Sequence, residues 1–228
     1  MLIGGFQKMT LLDYPGKIAC IVFTHGCNFR CPYCHNAALV CEEYDGISEQ
    51  EIIDYLKKRK GILDGVCVSG GEPFLQKDLL DFLKKVKELG YCVKVDTNGT
   101  SPDLLRQAVE QGLCDYVAMD IKNSLDKYAM TADAELDNKK IKESVEFLLS
   151  GRVDYEFRTT VTRELHTKED MKEIGKLIAG AKRYYLQTFT DSGNLVGEGM
   201  SAYTSDEMRE LANMVREYVA SVSVRGLD

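Results

Sequence analysis

The sequence has no tryptophan, only four prolines and only three histidines among its 228 residues. It also lacks a long hydrophobic run. The longest, Ile18 to Phe23, is far shorter than the ~20 apolar residues that cross a bilayer, so no membrane span is expected. With proline scarce, and with no internal repeat or Pro/Ser-rich tract, an extended linker is excluded and one domain over residues 1–228 is expected. Positive charge is in deficit too: 29 Lys and Arg against 36 Asp and Glu leave a net charge of −7. That balance argues against a protein that grips nucleic acid through its whole surface. The first nine residues, Met1 to Met9, lack the charged region and apolar core of a secretory signal. A cytoplasmic location is therefore expected, where thiols stay reduced and clustered cysteines read as metal ligands or redox groups.

What is present is an alternation of short apolar runs with helical patterns. Candidate strands cover 17–24, 65–69, 92–97, 116–121, 155–162 and 184–189. Several lack clean polar alternation, as expected of parallel strands covered on both faces. Between them lie helix signals: Ser48 with Glu51 and Thr204 with Glu207 read as capping boxes, Ser101-Pro102 as an N-cap with a first-turn proline, and Gly90, Gly151 and Gly180 as stops. Six strand–helix units predict a parallel α/β fold, and the length favours a partial (β/α)6 TIM-like barrel over a closed eight-fold one. A doubly wound open sheet is the structural alternative. Residues 1–16 form an N-terminal extension, expected as a hairpin or loop around Asp13-Tyr14-Pro15-Gly16.

Three of the eight cysteines, Cys27, Cys31 and Cys34, fall in one loop directly after the first predicted strand. Soft thiolates at that spacing suit zinc or an iron–sulfur cluster. A zinc site would draw its fourth ligand from His35 or Cys41. Ordinary iron–sulfur clusters take four cysteines, so three would leave one iron of a 4Fe-4S cluster open to substrate. Cys20, Cys67, Cys92 and Cys114 lie in or beside strands and read as small buried hydrophobes; His25 and His166 read as polar loop residues. Lys57 to Lys60, and Lys84, Lys85 and Lys87, read as solvated helix faces that could also dock an acidic electron donor.

The C-x3-C-x2-C arrangement, with Tyr33 before the last cysteine, resembles the signature of the radical S-adenosylmethionine (radical SAM) family. Gly70-Gly71-Glu72-Pro73, Asp96-Thr97-Asn98-Gly99 and Asp120-Ile121-Lys122 extend that resemblance along the chain. With Asp13-Tyr14-Pro15-Gly16 and Cys34-His35-Asn36, they look like the activating enzymes of glycyl-radical enzymes. Within that group the chain is most similar to the activators of anaerobic ribonucleoside-triphosphate reductase. The resemblance implies a barrel of the radical SAM type with Cys27, Cys31 and Cys34 on a 4Fe-4S cluster. It further implies S-adenosylmethionine on the open iron, flavodoxin or ferredoxin as reductant, and a 5′-deoxyadenosyl radical that takes hydrogen from a glycine of a partner enzyme.

The motifs fall at C-terminal strand ends, which converge on one face of a parallel barrel. Gly70 and Gly71 would let backbone approach the methionyl end of the cofactor, and Glu72 would accept from its amino group. Asp96, Thr97, Asp120 and Lys122 would orient ribose or methionyl groups. Alternatively, Asp96, Thr97 and Asp120 would hold a monovalent cation, or the two aspartates would form buried ion pairs. Arg158 would bind the cofactor carboxylate or bridge to Glu72 or Asp120; Tyr33 and His35 would contact adenine. Gln187 stands where related activators can place a histidine. Competing functions are activation of a pyruvate formate-lyase-type enzyme, radical chemistry on a small molecule such as a deazapurine precursor, and a structural zinc protein.

Overall fold

The computed structural model describes residues 1–41 and 46–227. Eight strands lie in one sheet in strict chain order: β1 (Ile3–Thr10), β2 (Ala19–Thr24), β3 (Gly65–Gly70), β4 (Cys92–Thr97), β5 (Tyr116–Asp120), β6 (Asp154–Val161), β7 (Tyr184–Thr188) and β8 (Val222–Arg225). β1 is antiparallel to β2, and every pairing from β2 to β8 is parallel. A doubly wound sheet reverses its order at a switch point; this one never does, so it follows the wall of a barrel. β1 and β8 form the two edges and, among the described residues, do not pair with each other, which leaves the barrel open on one side.

The six predicted strands correspond to β2 to β7, with ends displaced by one or two residues. The parallel run nevertheless has seven members, because β8 adds one that sequence reading missed. Its four residues, Val-Ser-Val-Arg, are too few to show a period. β1 was anticipated only as hairpin or loop; its Gly4-Gly5 pair hid a strand that pairs with β2 across a bulge on either side of residues 5–7.

Helices cover the outer face: α1 (Ala37–Cys41), α2 (Glu49–Lys58), α3 (Leu79–Glu88), α4 (Pro102–Glu110), α5 (Tyr128–Ala132), α6 (Asn138–Leu149), α7 (Lys168–Leu177) and α8 (Ser205–Val215). Ser48 caps α2 by accepting from the Glu51 N–H at 3.2 Å. Thr204 with Glu207 closes a full capping box on α8, and Thr167 with Asp170 closes another on α7. Ser101 makes no side-chain cap, although Pro102 starts α4 as expected.

Side chains on the inner strands divide by parity. Val93 and Val95 of β4, Val117 and Met119 of β5, and Tyr155, Phe157 and Val161 of β6 join Leu79, Phe82, Leu83 and Val86 of α3 in the main core. The alternate positions carry Lys94 and Asp96, Tyr116 and Asp120, and Glu156 and Arg158. The barrel interior is therefore polar and charged, where a closed barrel would be filled with branched aliphatics. Its floor is plugged by a separate small cluster of Tyr14, Ala19 and Tyr116, with Cys92 packed against it. Above the plug, Glu156 is buried and accepts from Tyr116 Oη at 2.9 Å and from Arg225 at 2.8 and 3.1 Å, tying β5, β6 and β8 together.

Candidate functional site

A cavity of about 410 Å³ opens at the C-terminal ends of the parallel strands. Cys27, Cys31 and Cys34 line it, with Tyr33 and His35 from the same loop. Gly70, Gly71, Asp96, Thr97, Asp120, Lys122 and Arg158 contribute from the ends of β3 to β6. Sequence reading thus gathered twelve of its thirteen candidates on one cavity; Glu72 is the exception. The cavity also takes Asp13, Asn36 and Asn98 from the quoted motifs, to which no role was assigned, Gln187, and Phe29, Ser69 and Thr160, which no motif contained. Ser69 and Thr160 could have been found from their two-residue offsets from Gly71 and Arg158, which place them on the same strand face.

The two glycines have a concrete cause. Gly70 has φ of +106°, and a side chain there would put Cβ 2.5 Å from the Thr24 nitrogen. At Gly71 a Cβ would stand 2.0 Å from the Gly26 carbonyl oxygen. The turn after β3 is pressed against the base of the cysteine loop, with Gly71 N–H donating to Thr24 O and Glu72 N–H to Gly26 O, both at 2.9 Å. Asn36 Nδ2 donates to Gly70 O at 2.8 Å from the far side of the loop.

Glu72 requires a correction. Its carboxylate is buried and does not line the cavity. Oε1 accepts from Phe74 N–H at 3.1 Å and Thr97 Oγ1 at 2.8 Å, and Oε2 accepts from Asn98 N–H at 2.6 Å. Thr97 Oγ1 in turn accepts from Gly99 N–H at 3.1 Å, so its own proton must point at Glu72. Instead of presenting an acceptor to a ligand, Glu72 fastens the β3 turn to the end of β4. Burial pushes its carboxyl up to about 7, against the opposing pull of these three donors. Asn98 continues the tie: its Nδ2 donates to Asn28 Oδ1 at 2.8 Å, inside the cysteine loop.

Asp96 and Asp120 are held in a chain of charges. Arg158 donates through Nε to Asp120 Oδ1 at 2.8 Å and through Nη1 to Asp96 Oδ2 at 3.2 Å. Lys122 Nζ reaches Asp120 Oδ2 at 3.1 Å, Ser69 Oγ donates to Asp96 Oδ2 at 3.0 Å, and Lys94 Nζ bonds Asp96 Oδ1. Burial alone would raise the Asp120 carboxyl, but Arg158 and then Lys122 outweigh it and hold the group down at about 2. Of the alternatives the sequence left open, the buried ion pair is the arrangement found. The oxygens offered to a monovalent cation are bonded to Arg158, Lys94 and Lys122, and the Thr97 hydroxyl is committed to Glu72. Arg158 bridges Asp120 as foreseen, but its second partner is Asp96 and not Glu72.

The thiols sit in a desolvated wall. Burial pushes the Cys27 thiol up to about 11, against a hydrogen bond from the Phe29 N–H. It raises Cys31 as well, with Lys122 the strongest opposing influence. Tyr33 Oη, buried beside Cys31, has no hydrogen-bond partner among the described residues. Among the described residues, no three His, Cys, Asp or Glu side chains close on a point that one metal ion could occupy. Cys41 is exposed and off the cavity, and His35 is exposed, stacked on Phe189 at 6.1 Å and facing Ser192 Oγ at 3.3 Å. The four-ligand zinc site is not assembled. A cubane takes its sulfur ligands on separate irons, so three thiols spread along one cavity wall fit a 4Fe-4S cluster without meeting at a point.

His166 lies in the loop before α7, as expected, but is fully buried there. Its Nδ1 accepts from Thr162 N–H at 3.2 Å, so Nε2 carries the proton and donates to Lys122 O at 2.8 Å, fixing the segment that bears Lys122. The Lys57–Lys60 run leads into the start of β3, at the opposite end of the barrel from the thiols. Lys85 and Lys87 are engaged with Glu49 and Asp115, both at 2.7 Å.

Comparison with known proteins places this geometry. Residues 21–179 match the Radical SAM superfamily. Along 237 aligned residues, spanning 100% of this chain and 97% of the relative, the sequence is 32% identical to a protein of Methanocaldococcus jannaschii named as a glycyl-radical enzyme activating enzyme. Over 127 residues, 53% of this chain and 52% of the relative, it is 35% identical to the pyruvate formate-lyase-activating enzyme of Clostridium pasteurianum. Streptococcus suis SuiB shares the fold with a TM-score of 0.72 at 14% identity, over 90% of this chain and 48% of SuiB. Its S-adenosylmethionine-bound form gives 0.69 at the same 14% identity, over 88% of this chain and 48% of that one. No helix among the described residues is long and apolar enough to cross a membrane.

Two measurements check this anatomy. Gly71→Ala is expected to lower the unfolding free energy by about 1–3 kcal/mol, since the Gly26 backbone cannot yield to the new methyl. It should also reduce iron bound after anaerobic reconstitution; a urea midpoint and iron content equal to wild type would refute the close approach. The Asp120 contribution has a defined sign. Its folded pKa lies below its unfolded one, so stabilisation is complete above about pH 4 and lost as pH falls towards 2. The stability gap between wild type and Asp120→Asn should accordingly narrow by about 2 kcal/mol over that interval in chemical denaturation series.

Proposed function

The chain belongs to the radical SAM superfamily, and from that premise we propose that it generates a glycyl radical on anaerobic ribonucleoside-triphosphate reductase. At the coarser level it is an enzyme of the glycyl-radical-enzyme activating group, using a 4Fe-4S cluster and S-adenosylmethionine. Bound together, these two supply a one-electron cleavage that yields a 5′-deoxyadenosyl radical able to take a hydrogen atom from a glycine Cα.

The observation that carries the proposal is the coincidence of three thiols and a charged wall on one cavity, in a sheet whose two edge strands do not pair with each other. Cys27, Cys31 and Cys34 would each ligate one iron. Lys122 and Arg158 would hold the cofactor carboxylate, while Gly70 and Gly71 keep the turn beside the cysteine loop thin enough for a methionyl group to lie against backbone. Asp96 would face the cofactor's amino group, Thr97 would act through Glu72, and Tyr33 with His35 would border the adenine. The unpaired edges β1 and β8 would leave room for a glycine-bearing loop from outside. A peptide substrate needs that entry, whereas a small deazapurine precursor would not. Flavodoxin or ferredoxin would reduce the cluster in the cytoplasm from the cysteine-loop end, not at the distant Lys57–Lys60 run.

The reductase is preferred as partner because no cysteine-rich insert interrupts the chain between β2 and β3. The similarity to the Clostridium pasteurianum enzyme favours a second reading, in which the partner is of the pyruvate formate-lyase type.

Reduced protein, S-adenosylmethionine and each candidate partner should be mixed anaerobically and read by electron paramagnetic resonance. A glycyl doublet with the reductase alone supports the proposal; a doublet with the lyase alone selects the second reading. Cys31→Ala is expected to lose the cluster absorbance and all cofactor cleavage. Cys114→Ser should keep turnover within about twofold, because that thiol sits behind β5 on the Tyr116 carbonyl at 3.1 Å.

A further inference from the structure

One buried charge belongs to none of these roles. Lys94 is 2% exposed, and its ammonium lies within the barrel one layer beneath the cavity. It bonds Asp96 Oδ1 and stands 3.7 Å from Cys67 Sγ, and no other acceptor is found for it among the described residues. Asp96 is not its exclusive partner, because Arg158 shares the same carboxylate at 3.2 Å. The bonded chain Lys94–Asp96–Arg158–Asp120–Lys122 therefore holds three cations and two carboxylates. Two neighbouring acids do not restore the balance. Glu72 is off the cavity and satisfied by neutral donors, and Asp13, although it borders the cavity, is exposed to solvent, accepts from the Thr10 hydroxyl and bonds none of the three cations. Nor does the lower pair of Glu156 and Arg225, which neutralises itself.

An excess cation sealed from water is costly unless an anion completes the set. The open end of the chain is Lys122 and Arg158, whose side chains line the cavity with donors left over. Lys122 uses one of its three on Asp120, and Arg158 uses its Nε and Nη1.

We propose that Lys94 is a positioning residue for carboxylate recognition. By neutralising Asp96 from below, it leaves Arg158 and Lys122 with one positive charge beyond what the aspartates cancel, and that surplus selects a ligand bearing a carboxylate. The inference rests on the reading that S-adenosylmethionine occupies the cavity. Without Lys94 the chain is neutral, Arg158 belongs wholly to the two aspartates, and the carboxylate of the ligand loses its electrostatic reward. A unit charge on the order of 10 Å away, through an effective dielectric near 20, is worth roughly tenfold in binding.

The discriminating quantity is the ratio of two dissociation constants, for S-adenosylmethionine and for its decarboxylated analogue, which keeps the sulfonium and the amine. Both are measured by anaerobic calorimetry on the cluster-loaded protein. Wild type should prefer the carboxylate-bearing ligand. Lys94→Gln keeps a donor for Asp96 but removes the charge; the effect on the sulfonium and amine is common to both ligands, so the preference itself should fall about tenfold. The double variant Lys94→Met with Asp96→Asn removes one charge of each sign and retains the surplus; losing Asp96 weakens both ligands alike through the amine they share, so their ratio should stay within about threefold of wild type. An unchanged ratio in Lys94→Gln overturns the inference. Should that variant not fold, a tenfold fall in the double variant does the same. Failure of wild type to bind either ligand would instead strike the reading of the cavity itself.

Discussion

The shared guanidinium of Arg158 is the interaction on which the rest of the site depends. It joins Asp96 at the end of β4 to Asp120 at the end of β5 from a position on β6, and so locks three strand ends into one wall. Such a pair, removed from water, is strongly destabilising to break and only weakly stabilising to make. Its value lies in geometry. A barrel filled with aliphatic side chains would be more stable but would have no charged face for a polar ligand, and an unpaired aspartate at either position would protonate. The acidic groups stay ionised here because cations are built into the same wall.

Glu72 does for the cysteine loop what Arg158 does for the strand ends. Three donors converge on its carboxylate from Phe74, Thr97 and Asn98, and Asn98 carries the tie on to Asn28. Gly70 and Gly71 allow the turn before it to lie directly on the backbone of Thr24 and Gly26. The loop that carries the three thiols is thus held by main-chain and carboxylate contacts.

The open sheet links this anatomy to a macromolecular substrate. A fully closed barrel buries its interior and admits what fits through its mouth. Here the antiparallel β1 ends the sheet on one side and the short β8 ends it on the other, so the wall does not close on itself. The end opposite the thiols is plugged by Tyr14, whose ring packs with Ala19 and Tyr116.

Much of this was legible in the chain. The strand of residues 92–97 was read with its correct ends, because apolar residues alternate with Cys, Lys and Asp between two clear glycine signals. The thiol trio was legible for a stronger reason: Cys27, Cys31 and Cys34 lie within eight residues on one loop, so their proximity needs no folding to establish it. Strand order was not legible: six repeats of one unit suit a doubly wound sheet as well as a barrel, and only the pairing of β2 to β8 in chain order decides between them. What sequence could not supply was the partner of each charge. Arg158 and Asp96 are 62 residues apart, Thr97 and Glu72 25 apart, and Ser69 and Asp96 27 apart. Only the register of neighbouring strands decides that Glu72 turns to the β4 end and not to a ligand, and that Lys94 lies beneath Asp96 instead of in water. Local spacing fixes which atoms can share a metal; long-range register fixes which buried charges must neutralise one another, because desolvation forces each to take the nearest partner the fold provides.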